Sequence, residues 1–405
     1  MKNYIIENIG QLVTCSGFSA KHGKEMSDLG IVENATVVVT GGIIAYAGAR
    51  CRDLPLDGTK TYERIDAGGN AVLPGFIDSH THFVFAGYRE EEFAWRMNGD
   101  SYLSIMQRGG GIYRTVDATR RASAGELKAL AQRRLDRMFE MGVTTVEGKS
   151  GYGLDRETEL KQLRVMQELG THPVDIVATY LGAHAVPEGY TEKTYIAFML
   201  EEVMPVVRRE NLAECCDIFC EKGVFNIENT ARFLEAARAM GFRLKLHADE
   251  IVTTGGAELA AAQNALSADH LLRASEEGIA ALAKSNTVAT LLPCTAFSLR
   301  EEYAQGRKMI DAGCAVAIAT DFNPGSCFTH SIPLTIALAC IRMHLTPEEA
   351  VTALTINAAA ALGKAGSIGS IDVGKKGDIL ILAYPSYRFL PYYAGMNCVK
   401  KTIKS

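Results

Sequence analysis

The chain has 405 residues, 47% of them hydrophobic and 22% charged, with a formal net charge of −5 at neutral pH. That length holds one large core, enough for an α/β barrel of ~250 residues with material over for a smaller unit. With acidic and basic residues nearly balanced, no broad field favours nucleic acid or an anionic membrane, and the expected partner is a small molecule.

The opening residues, Lys2 to Asn8, show neither a sustained apolar stretch nor a small-residue cleavage site, and no later apolar run reaches the ~18 residues of a membrane span. A cytoplasmic protein with no membrane partner is expected. The ten cysteines lie mostly in apolar runs such as Cys215-Cys216-Asp217-Ile218-Phe219-Cys220, which reads as reduced core thiols, and no CxxC pair offers a cysteine zinc site.

In chain order, the first sixty or so residues read as short strands broken by glycine: Ala35 to Thr40, then Gly41-Gly42, then Ile43 to Ala47. Next come short apolar runs alternating with helix-length amphipathic segments such as Ala124 to Met141 and Glu228 to Met240, the pattern of a parallel sheet with crossover helices. Eight runs end near His80-Thr81-His82, Glu147-Gly148-Lys149, His184, Glu221-Lys222, His247, His270, Pro293 and Thr320-Asp321. Strand texture returns at Ile379-Leu380-Ile381-Leu382. The expected fold is a (β/α)8 TIM-like barrel over residues 69–363, with a small β-sandwich-like domain from both termini, 1–68 plus 364–405.

Most of the eight runs end in a histidine or carboxylate, and barrel active sites lie at the C-terminal ends of their strands. His80 and His82 alternate after the apolar Pro74-Gly75-Phe76-Ile77-Asp78, so both imidazoles project to one face and can clasp one cation. Three later strand ends add His247, His270 and Asp321. Without a metal, five such groups on one face would each need hydrogen-bond partners or a shift to neutral forms. Imidazole and carboxylate donors suit zinc or ferrous iron, and three histidines with one aspartate leave room for a water whose pKa falls to roughly 7 on zinc. The expected cofactor is one divalent metal ion, zinc or iron. Glu250, three residues past His247, is placed to take a proton from water and return it to a leaving nitrogen.

The run Pro74-Gly75-Phe76-Ile77-Asp78-Ser79-His80-Thr81-His82 resembles the opening metal motif of the amidohydrolase superfamily. Phe83 to Glu90, Gly109-Gly110-Gly111-Ile112, Lys149 to Leu154, His247-Ala248-Asp249-Glu250 and Thr320 to Ser326 extend the match, over nearly the whole chain, to the imidazolonepropionase family. This resemblance implies a hydrolase of histidine breakdown, opening the cyclic amide of 4-imidazolone-5-propanoate to N-formimidoyl-L-glutamate. It implies His80, His82, His247 and Asp321 as metal ligands, Glu250 as proton shuttle and His270 beside the attacked carbonyl. It also implies that Arg89, Tyr152, His184, Glu250, Asn323, Gly325 and Ser326 surround the substrate, with Arg89 toward its carboxylate, and that the protein forms a homodimer.

Two features sit uneasily with that pattern. The fourth strand ends in Glu221-Lys222, and two-metal members of the superfamily carry a carboxylated lysine at that end, so Lys222 is a second-metal candidate; His184 and the His-x-x-Glu motif resemble the one-metal branch instead. Cys294 stands where the family pattern has glycine and is read as packing. Gly142 to Ser150 has the wrong glycine spacing for a phosphate loop, while Gly109-Gly110-Gly111 is a linker or a cover over the site. His22, His172, His330 and His344 have no partner spacing and read as ordinary polar residues. Two other functions are open to such a chain: a one-metal deaminase of a heterocyclic base, for which an arginine such as Arg89 has no use, and a non-catalytic scaffold, which would have no need of an intact donor set.

Overall fold

A computed structural model describes residues 2–51, 53–100, 104 and 108–405. Alternating apolar residues near the N-terminus form β1 (Tyr4–Val13), β2 (Ile31–Thr40) and β3 (Ile43–Ala49), paired antiparallel in that order. Gly41 and Gly42 turn the chain between β2 and β3 with φ of 60° and 81°, values that side chains with a Cβ rarely adopt. β4 (Glu63–Asp66) and β5 (Ala71–Pro74) run parallel to β1.

From β5 the chain passes directly into β6 (Phe76–Asp78), the first strand of an eight-stranded parallel sheet. It continues through β7 (Val143–Lys149), β8 (Asp175–Ala183), β9 (Cys215–Cys220), β10 (Arg243–Ala248), β11 (Ser267–His270), β12 (Val288–Leu291) and β13 (Val316–Ile318), each beside its predecessor. Thr81 and Phe322 form a parallel bridge, and the Asp321 N–H donates to the His80 carbonyl at 3.0 Å. The first and last strands therefore meet, and the sheet closes into the barrel expected from the eight strand ends.

The crossover helices begin where local chemistry satisfies their free N–H groups. Ser123 and Glu126 form a reciprocal cap on helix Ala124–Glu140, and the Asn226 side chain accepts from Asn229 N at the start of helix Ile227–Ala239. After the barrel, β14 (Ile379–Leu382) pairs antiparallel with β5 and with β15 (Val399–Ile403). The termini thus share one seven-stranded sheet, β15-β14-β5-β1-β2-β3, with β4 joined to β1. Alternation along β14 divides its burial: Ile379 and Ile381 enter a small core with Tyr4, Ile6 and Val37, while Leu380 and Leu382 join the main core of the barrel. Among the described residues, no helix is long and apolar enough to cross a membrane.

Candidate active site

β6 delivers His80 and His82 to the C-terminal mouth of the barrel, where both are buried. His80 Nε2 and His82 Nε2 each lie 3.5 Å from Asp321 Oδ1. A tetrahedral ion with bonds of ~2.1 Å sets its donors about 3.4 Å apart, so this spacing suits a shared metal. The His247 ring lies 4.6 Å from that of His80 and 5.6 Å from that of His82, centre to centre. His80 Nε2 and His247 Nε2 are buried without a protein hydrogen-bond partner, as is the other ring nitrogen of His82, Nδ1. Burial first, then neighbouring cationic and imidazole groups, hold all three histidines well below the usual imidazole range, so they are neutral and able to donate a lone pair. A buried imidazole nitrogen left unpaired beside a carboxylate, as at His80 Nε2 and Asp321, fits a divalent cation.

Behind these imidazoles the barrel interior is charged where many barrels are filled by branched aliphatics. Asp269 Oδ2 sits 2.7 Å from His80 Nδ1, and Asp217 Oδ2 is 2.9 Å from His247 Nδ1 at ion-pair distance, off the line of a hydrogen bond. Lys149 and Lys245 are fully buried among Glu147, Asp217 and Asp269. Carboxylates oriented on ligand-bearing histidines are common in metal sites; here their lysine partners are Lys149, a strand end whose pairing the sequence did not indicate, and Lys245, which the sequence did not single out. Lys222, in contrast, is exposed at the end of β9, and only its backbone N–H engages Glu221, so it takes no part in the cluster.

Three strand ends carry non-glycine residues in the left-handed region: Asp249 (φ 50°), His270 (φ 79°) and Asp321 (φ 52°). Strict alternation would turn Asp269 and His270 to opposite faces. Leaving the strand at His270 lets both face inward, and such backbone strain is found where a site over-determines it. The His270 ring lies 5.1 Å from His247 and its Nδ1 3.4 Å from Glu250 Oε1. Asp249 accepts from Thr254, Gly256 and Ala257 N–H groups, which ties down the loop holding Glu250. Burial, reinforced by Asp321, Glu221 and Glu301, pushes the Glu250 carboxyl up to about 8, and burial pushes Asp321 up to about 7. Burial also drives His270 down to about 3 and His184 to about 4.

On the other side of the mouth, His184 stacks on His82 at 5.0 Å and its Nδ1 faces the Gly151 carbonyl at 3.1 Å. Tyr152 is buried against His82, His184 and Phe85, and burial holds its phenol well above the usual range. Its loop is shaped by Glu159, whose carboxylate accepts from the N–H groups of Gly151, Gly153 and Leu154. Arg89 is clamped by Glu92, which accepts from its Nε and Nη2 at 2.9 and 2.8 Å while also accepting from Gly111 N. Glu92 thereby links the arginine to the triple-glycine segment. Asn323 spends its amide on its own loop, donating to the Asp321 carbonyl and accepting from Gly325 and Ser326 N–H. Arg96 donates to the Gly325 carbonyl at 2.9 Å beside Arg89, a second cation that the sequence did not single out. Cys294 packs with Cys327 and Leu338, its sulfur 3.3 Å from Thr335 Oγ1.

The sequence-selected residues thus converge from six strand ends onto one face. The amidohydrolase family model matches residues 227–405. In overall shape the chain is similar to an adenosine deaminase from Xanthomonas campestris with bound zinc, at a TM-score of 0.72 and 18% identity, covering 100% of this chain and 92% of that one. It is likewise similar to an atrazine chlorohydrolase from Arthrobacter aurescens complexed with zinc, at a TM-score of 0.74 and 15% identity, covering 99% and 94%. These likenesses show the shared barrel. In sequence it is 59% identical to imidazolonepropionase of Parabacteroides distasonis, over 99% of this chain and 97% of the relative. It is 60% identical to that of Porphyromonas gingivalis, over 99% and 96%, and to that of Bacteroides thetaiotaomicron, over 100% and 98%. Similarity of that depth along the full length, with the amidohydrolase barrel and an intact donor cluster at its mouth, means that the chain belongs to the imidazolonepropionase family of amidohydrolases.

Proposed function

We propose that His80, His82, His247 and Asp321 hold one divalent ion, zinc or iron, and that the site hydrolyses the cyclic amide C–N bond of 4-imidazolone-5-propanoate to N-formimidoyl-L-glutamate. The observation that carries this reading is the 3.5 Å spacing of His80 and His82 from one Asp321 oxygen, beside buried His247, in a chain of this family. Bound there, a divalent ion supplies Lewis-acid polarisation of a carbonyl and a lowered pKa for water.

The chain's own groups do the rest. Glu250, at the edge of the donor cluster, accepts a proton from the attacking water and delivers it to the ring nitrogen as the C–N bond breaks. His270, neutral and within reach of Glu250, faces the carbonyl oxygen and stabilises the charge that gathers there. Arg89, pre-set by Glu92, receives the propionate carboxylate, and Tyr152 and His184 pack along the ring. Asn323 shapes the turn that brings Gly325 and Ser326 to the far side. The division of the chain follows the same logic: the barrel within 69–363 carries the chemistry and 1–68 with 364–405 supply the outer sheet, except that β5 (Ala71–Pro74) pairs with β1 and β14 and so belongs to the outer sheet, the barrel strands starting at β6.

The test is to mix metal-quantified protein with freshly generated 4-imidazolone-5-propanoate and follow the ring chromophore together with ammonia. Rapid, chelator-sensitive loss without ammonia is expected. Ammonia release from heterocyclic bases, with the imidazolone left intact, would transfer the site to deamination.

A further inference from the structure

The buried charge cluster behind the imidazoles takes no direct part in the chemistry above. We propose that Lys149 is a positioning residue, a single buried ammonium that holds both carboxylates on which the metal-facing imidazoles of His80 and His247 rest. This rests on the ligand assignment just given.

Lys149 stands at the end of β7 with its side chain fully buried. Its Nζ lies 2.6 Å from Asp217 Oδ2 and 3.5 Å from Asp269 Oδ2, with Glu147 Oε2 at 3.1 Å. Those two aspartate oxygens are the same atoms that face the histidines, Asp217 Oδ2 toward His247 Nδ1 at 2.9 Å and Asp269 Oδ2 toward His80 Nδ1 at 2.7 Å. Each oxygen is thus shared between the ammonium and one imidazole. At His80 this contact is a hydrogen bond, and an acceptor on Nδ1 fixes both the ring orientation and the tautomer that leaves Nε2 free, whereas at His247 it is a close ion-pair contact off the hydrogen-bond line.

The two aspartates depend on Lys149 unequally. Asp217 has a second anchor, since its Oδ1 accepts from Ile218 N at 2.7 Å and His247 N at 3.2 Å. Asp269 Oδ1 is buried with no hydrogen-bond partner, so Asp269 is held chiefly through Oδ2, with Ser267 and Lys245 nearby. Lys245 lies farther from it, at 3.8 Å, and spends its hydrogen bonds on Glu147 and on the Ser79 and Ala361 carbonyls. Loss of Lys149 therefore loosens the His80 side of the site first. It also leaves three buried carboxylates facing one ammonium, a balance the interior does not tolerate without movement.

The experiment uses the full chain loaded with zinc and, separately, with cobalt(II), measuring zinc affinity by competition with a chromophoric chelator and ligand geometry by the cobalt visible absorption. Lys149→Met is expected to weaken zinc binding about 10- to 100-fold, the range seen when groups supporting metal ligands are removed, and to change the cobalt spectrum. Lys375→Met, at a likewise buried lysine in the loop before β14 that bonds Gly17 and Ser370, is expected to lower the unfolding temperature with affinity and spectrum unchanged. A folded Lys149→Met protein with wild-type affinity and spectrum overturns the proposal. Should that variant not fold, Asp269→Asn, close to isosteric, decides: unchanged zinc affinity and cobalt spectrum overturn the role, and a loss of both supports it. His80→Ala separates the two levels. If it retains full zinc affinity the ligand assignment itself fails, whereas its loss beside a normal Lys149→Met removes only the role of Lys149.

Discussion

Gly325 faces Arg89 so closely that a single methyl group tests the substrate clamp. A Cβ built on Gly325 would stand 2.1 Å from Arg89 Nη1 and 2.7 Å from Cζ, about 1.3 Å short of ordinary contact at 3.4 Å. An arginine tip usually swings aside, but this one is held by two bonds to buried Glu92, which is itself tied to Gly111. Gly325→Ala must therefore break the Arg89–Glu92 fork or push the loop that follows Asp321. If the fork yields, the substrate carboxylate loses a charge-assisted interaction of ~1.5–3 kcal/mol, which raises KM roughly 10- to 150-fold and lowers kcat little, since the carboxylate is bound in ground and transition states alike. Steady-state rates of ring-chromophore loss across substrate concentrations measure both constants. The double variant Gly325→Ala with Arg89→Met supplies the decisive comparison: if the methyl acts through Arg89, its KM matches that of Arg89→Met alone. Additive effects, or a single Gly325→Ala variant with the parent KM, would refute the reasoning.

Glu250→Gln keeps the shape and removes the basic oxygen, so metal content should hold while turnover falls by roughly hundreds-fold; unchanged turnover would dismiss Glu250 as the proton carrier. Glu159→Ala strands the N–H groups of Gly151, Gly153 and Leu154 in the interior, and at ~1–3 kcal/mol each the loss should reach about 3 kcal/mol or more, read as a lower urea midpoint with a raised KM from the displaced Tyr152 loop. Removing metal by chelation should lower the unfolding temperature and abolish turnover, and zinc or ferrous iron should restore both; a stripped protein of unchanged unfolding temperature would argue against a resident ion.

Local signals carried much of this molecule. The eight barrel strands were readable because most of the apolar runs stop at a histidine or carboxylate, and the helices because amphipathic segments of helix length separate those runs. The donor cluster was readable for the same reason: His80, His82, His247, His270 and Asp321 all lie at or just past the C-terminal ends of strands, and strand ends of one parallel barrel share a face. Glu92 was not, since its place in the run Arg89-Glu90-Glu91-Glu92 looks like a solvated helix start, and only the fold buries it against Gly111.

What the sequence by itself determined, then, is the barrel's strands and crossover helices and the chemistry at the strand ends, because periodicity and polar stops are properties of neighbouring residues. Tertiary structure alone decided what stands behind that chemistry. Lys149 and Asp217 are 68 residues apart, and Asp269 and His80 are 189 apart. A buried charge is tolerated only where partners of opposite sign arrive from other strands, and no pattern within one strand can announce who they will be. The left-handed turn at His270 and the missing Cβ at Gly325 belong to the same category, since each is fixed by a neighbour that only barrel closure brings near.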